Sequence, residues 1–83
     1  MMTTITYHNI PVDITPNEER PFQYQLFENE HDGQYYKISS DGKELYINED
    51  LAYLKGDMPI EWREPAIAKL LILLRAKEYP DGP

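Results

Sequence analysis

The stretch Glu28-Asn29-Glu30-His31-Asp32-Gly33 sets three acids at alternate positions ahead of a glycine. That spacing matches the opening of a calcium-binding loop, whose oxygen ligands recur at every second residue and whose sixth-position glycine permits a sharp turn. The complete loop also needs a bidentate carboxylate at its twelfth position. Counting from Glu28, that position is Ser39. The flanking residues alternate as strands do, rather than as the helices that enclose such a loop. The segment is therefore read as a hairpin turn, and neither a metal nor any other cofactor is expected.

Other reactive residue types are dispersed. Ser39 and Ser40 border a turn without the G-x-S-x-G elbow that activates a serine. His8 falls at a strand bend and His31 at a loop tip. The four glycines (Gly33, Gly42, Gly56 and Gly82) are scattered, so no phosphate-cradling loop is present. The absence of cysteine removes thiolate nucleophiles, thiolate metal sites and disulfides. Carboxylates are plentiful, but exposed acids in turns are ordinary. No catalytic residue is assigned, and the chain is read as a non-enzyme. A small enzyme would need a deep pocket lined by His8 or His31.

The charge is more telling. Fifteen acids against eight bases give a net charge of −7, and the whole excess lies in residues 1–50. A negative half repels phosphate backbones, so direct nucleic-acid binding is not expected. Basic partners would instead be drawn to it. The opening MMTTITYHNIPV lacks both a basic region and an apolar run, and the longest apolar run, 70–74, is far too short to span a membrane. A cytoplasmic protein with no membrane partner is the expectation.

The elements that position these residues are those of a single α+β domain over 1–83. Asp41-Gly42 is the favoured pair for a two-residue turn with positive φ at both positions. It pairs Ser40 with Lys43, Ile38 with Leu45 and Tyr36 with Ile47, which gathers the apolar side chains on one face. Upstream, a three-residue loop with Gly33 left-handed pairs Leu26 with Ile38 and Glu28 with Tyr36, burying Tyr24 and Leu26. Residues 22–30, 34–39 and 43–48 then form an antiparallel meander. Apolar residues alternate on odd positions at Ile5 and Tyr7 and on even ones at Ile10, Val12 and Ile14, so a hairpin or bulge is needed at His8-Asn9. A tight turn there would make an N-terminal strand pair, with Pro11 on an edge.

Three helical segments are expected. One turn at TPNEERP is capped by Thr15. A short helix over 49–55 is capped by Asn48, with Glu49 and Asp50 suiting its positive end. A C-terminal helix over 65–79 starts at Pro65, preceded by a connector with an optional helical start at Pro59. Ile67, Leu70, Leu71 and Leu74 form its buried stripe, and Ile72 and Leu73 fall on either flank. The fold class is thus an antiparallel meander, with an N-terminal strand pair, packed on one face by a C-terminal helix.

Seven tyrosines are many for a chain of this size, and Tyr35 and Tyr46 point to the face opposite the core. Tyrosine suits interfaces because it offers rigid apolar area with a hydroxyl. The functional expectation is a non-catalytic module that binds a basic protein, in its sharpest form an inhibitor standing where nucleic acid would lie. Its carboxylates would be Glu18, Glu19, Glu28, Glu30, Asp32 and Glu44, with Tyr35 and Tyr46 as aromatic contacts. The alternative is a structural protein or homodimer joined through the apolar helix at Ile72 and Leu73.

Overall fold

The computed structural model describes residues 2–29 and 33–78. Five strands, β1 (Met2–Thr15), β2 (Glu18–Asn29), β3 (Gly33–Ser40), β4 (Lys43–Asn48) and β5 (Tyr53–Gly56), form one antiparallel sheet in sequence order. One helix, α1 (Ile60–Glu78), packs on one face of it. The α+β meander with a C-terminal helix is as expected.

The strongest local signal is met in full. Asp41 and Gly42 take φ of 52° and 77°, and Ser40↔Lys43, Ile38↔Leu45 and Tyr36↔Ile47 are the observed pairs. Gly33 is left-handed, at φ 78°. The β2–β3 register, however, pairs Leu26 with Tyr36, Tyr24 with Ile38 and Glu28 with Gln34, two residues from the expected alignment. A two-residue slide keeps every side chain on its face, so alternation cannot detect it. Residues 30–32, including His31 and the acids of the calcium-like pattern, lie outside the described residues.

The N-terminal strand pair is not folded at His8-Asn9. β1 is one long edge strand paired with β2, and His8 and Asn9 together oppose the single residue Gln23. This is a β-bulge, with Asn9 at φ 54°. The Gln23 side chain accepts a hydrogen bond from the Asn9 N–H at 2.9 Å. The extra residue lets Ile5 and Tyr7 before it, and Ile10 and Val12 after it, face the same core. Pro11 does lie on an edge strand.

Two expected helices are turns instead. At Thr15 the hydroxyl accepts from the Asn17 N–H at 3.2 Å, as a cap would, but Thr15 pairs with Glu18 and the chain reverses into β2. No apolar stripe follows to hold a helix there. Asn48 also behaves as a cap locally, its Oδ1 accepting from the Asp50 and Ala52 N–H groups at 2.8 and 3.0 Å. The chain then turns through Leu51, at φ 66°, into β5. A three-residue hairpin loop ending in a left-handed residue is a common alternative to a helix start.

α1 begins at Ile60, five residues before Pro65, which replaces one hydrogen-bonding position in its second turn. Its core face is Trp62, Ala66, Leu70 and Leu73, with Ile67 and Leu74 at the margins. Leu71, expected to be buried, is half exposed. These residues close on Val12, Phe22, Tyr24, Leu26, Tyr36, Ile38, Leu45, Ile47 and Met58. The Tyr24 hydroxyl donates to the Ala66 carbonyl at 2.6 Å, tying sheet to helix. Burial holds its phenol well above the usual tyrosine range, so it remains a donor. Trp62 meets Phe22 edge-on at 6.0 Å and carries the Arg20 guanidinium 4.5 Å above its ring.

β5 is held by a close backbone approach at Gly56, where φ is 143° and an added Cβ would stand 2.3 Å from the Glu44 carbonyl oxygen. That oxygen accepts from the Asp57 and Met58 N–H groups at 2.9 and 3.0 Å. Gly56→Ala should therefore lower stability in urea denaturation by about 2–3 kcal/mol, since backbone rather than a flexible side chain must move. Gly42→Ala meets nothing within 4 Å and keeps only the left-handed cost, about 1 kcal/mol.

Candidate protein-binding surface

The six expected carboxylates do not form one patch. Glu18 and Glu19 begin β2 and Glu28 ends it. Nine residues of extended chain separate Glu19 from Glu28, roughly 30 Å. Glu18 is engaged by Arg20 at 2.6 Å, on the helix side of the sheet. Glu19 lies opposite Asp13 at the far end. Glu44 is paired with Lys37 at 2.8 Å, and that bond raises the lysine's pKa. Glu30 and Asp32 lie outside the described residues.

Glu28 instead gains neighbours that the sequence reading gave to a helix. Because Tyr35 pairs with Asn48, the β4–β5 turn lies beside the β2–β3 connection. Glu49 and Asp50 are exposed there, and the Glu49 carboxylate sits 3.4 Å from where a Cβ on Gly33 would be. The signal was present: the Asp41-Gly42 turn alone puts residue 48 opposite residue 35, whatever follows it. Glu28, Glu49 and Asp50 thus share one end of the sheet.

The uncovered sheet face starts at that end. Phe27 and Tyr35 pair across β2 and β3 and stack with ring centres 4.7 Å apart and planes 14° apart. Phe27 was not among the expected contacts, although the alternation that buries Tyr24 and Leu26 sends it outward. Tyr35 and Tyr46 both lie on the uncovered face, half-buried. Tyr46 sits next along, between Lys37 Nζ at 5.8 Å and Lys55 Nζ at 4.8 Å from its ring centre. Gln25 and Thr6 continue the same row through Lys37.

The hydroxyl-bearing candidates are accounted for structurally. Ser40 is buried and donates to the Pro21 carbonyl at 2.7 Å. His8 is exposed at the bulge. Among the described residues no three His, Asp or Glu side chains gather as a metal-ligand set. On the helix, Ile72 is 59 % exposed and Leu71 50 %, whereas Leu73 turns toward the core. Compared with family models, curated proteins and solved structures, the chain matches none. No helix among the described residues is long and apolar enough to cross a membrane.

One acid has a clear electrostatic role next to this face. The Asp57 carboxylate accepts the Glu44 N–H at 2.9 Å, and that bond, helped by Lys43, holds its pKa below the ordinary 3.8. A depressed carboxylate contributes stability above its unfolded pKa and loses it as pH falls through the folded one. Thermal unfolding measured between pH 5 and pH 2, roughly the range of carboxylate titration, should show this as a loss in acid. Asp57→Asn, which keeps the acceptor but not the titration, should flatten that loss.

Proposed function

We propose that this chain is a non-catalytic protein-binding module that presents the acid-rimmed end of its uncovered sheet face to a basic partner. The observation that carries the reading is the stacked Phe27–Tyr35 pair beside Glu28, Glu49 and Asp50. Aromatic anchors with a charged rim are the usual anatomy of a protein interface. In its sharper form the module occupies a surface on which the partner otherwise holds nucleic acid, its carboxylates standing for phosphates. The net charge of −7 supports contact with a basic protein rather than with nucleic acid itself. A cytoplasmic setting suits a chain without cysteine.

Magnitudes separate the two halves of the surface. Rim charges contribute about 0.2–1 kcal/mol each, so Glu28→Gln, Glu49→Gln and Asp50→Asn together should weaken capture about tenfold and reduce its salt sensitivity. Buried aromatic anchors are worth about 2 kcal/mol or more, so Phe27→Ala with Tyr35→Ala should weaken it by roughly thirtyfold at any salt. The measurement is affinity capture from a lysate on immobilised protein, followed by titration of the captured partner at two ionic strengths. Duplex DNA added in competition should displace the partner if the nucleic-acid surface is the one occupied. Equal capture by wild type and both variants would overturn the proposal.

A further inference from the structure

The outer side of α1 has a pattern that fits itself. At 100° per residue, Glu64, Ala68, Leu71, Ile72 and Arg75 fall within about 100° of arc. This stripe lies about half a turn from Trp62, Ala66, Leu70 and Leu73, which face the core. All five stripe residues are exposed, Ile72 by 59 % and Leu71 by 50 %. Glu64 and Arg75 have no ion-pair partner among the described residues. Eleven residues separate them, three helical turns, so they stand on one line with the apolar residues between them.

A second α1 laid antiparallel across this stripe, with a two-fold axis level with residues 69–70, sets Glu64 of each helix against Arg75 of the other. Ala68 then faces Leu71 and Ile72 of the second copy, and its small side chain allows close helix approach. A parallel pairing would set acid against acid and base against base. We infer that this stripe is the contact of a homodimer formed by antiparallel α1 helices, with Ala68, Leu71 and Ile72 at its centre and reciprocal Glu64–Arg75 pairs at its rim. The same surface serves both protomers, as closed two-fold symmetry requires.

The inference is independent of the binding role proposed above and adds to it. The stripe points away from the sheet, so the dimer has layers in the order sheet, helix, helix, sheet. Both uncovered sheet faces stay outermost, and a partner with two basic sites would meet a bivalent ligand. One helix per side makes an interface at the small end of the specific range, so the dimer should dissociate in roughly the micromolar range.

The test is sedimentation equilibrium of the full chain from about 1 µM to about 1 mM, a span chosen to bracket that range. Wild type should pass from monomer to dimer. Ile72→Glu should remain monomeric with an unchanged far-ultraviolet spectrum, since its side chain is outside the core. Glu64→Arg and Arg75→Glu should each weaken the dimer by about tenfold or more, because each creates two like-charge pairs. The double reversal should restore it to within about threefold of wild type. Folding of that variant is checked by the same spectrum. A wild type that stays monomeric throughout, which would leave the stripe to a different chain, overturns the inference. So does a dimer untouched by Ile72→Glu, or a double reversal no better than the singles.

Discussion

The bulge at His8-Asn9 sets the geometry on which the helix depends. β1 has its apolar residues on odd positions before the bulge and on even positions after it, and without the extra residue one group would point to solvent. With it, Ile5, Tyr7, Ile10, Val12 and Ile14 all join the core that α1 closes. The left-handed Asn9 and the Gln23 side chain that receives its N–H make the irregularity a specified feature. The Tyr24 hydroxyl, two residues along β2 from Phe22 and the bulge, then bonds the helix at Ala66.

One sheet and one helix bury a single layer of side chains. Everything else faces outward, and its composition is not that of an inert surface. The uncovered sheet face has the stacked Phe27–Tyr35 pair and a tyrosine flanked by two lysines. Tyr46 already satisfies those lysines in part, and Glu44 neutralises Lys37, so the unopposed charge is concentrated at the Glu28–Glu49–Asp50 end. The outer side of α1 is apolar at its middle and oppositely charged toward its ends. These two surfaces lie on opposite sides of the molecule, which lets self-association and partner binding proceed without competing.

What the sequence made legible followed from signals with a single reading. Asp41-Gly42 between two alternating runs specifies its turn, its register and its faces together. The C-terminal apolar run specifies a helix, although Pro65 was taken for its start because the first turns, Ile60 to Glu64, have few apolar residues. Signals with two readings failed. Thr15 and Asn48 each accept an amide bond from two residues on, a geometry common to helix caps and to turns. Only the residues that follow decide between them, and neither segment has an apolar stripe. The β2–β3 slide of two residues preserved every face and so left no trace in the pattern. For the site, the outward direction of Tyr35 and Tyr46 was legible from parity. The company of Glu28 was not, since it depended on treating residues 49–50 as a turn.

The most direct test of the binding surface is an amide chemical-shift map of the ¹⁵N-labelled protein as its captured basic partner is added. Shifts concentrated at residues 27–28, 33–35 and 48–50, fading as salt is raised, are the predicted result. Shifts confined to 64–75 on the outer side of α1, with the sheet end unmoved, would contradict the assignment of partner binding to the acid-rimmed aromatic face.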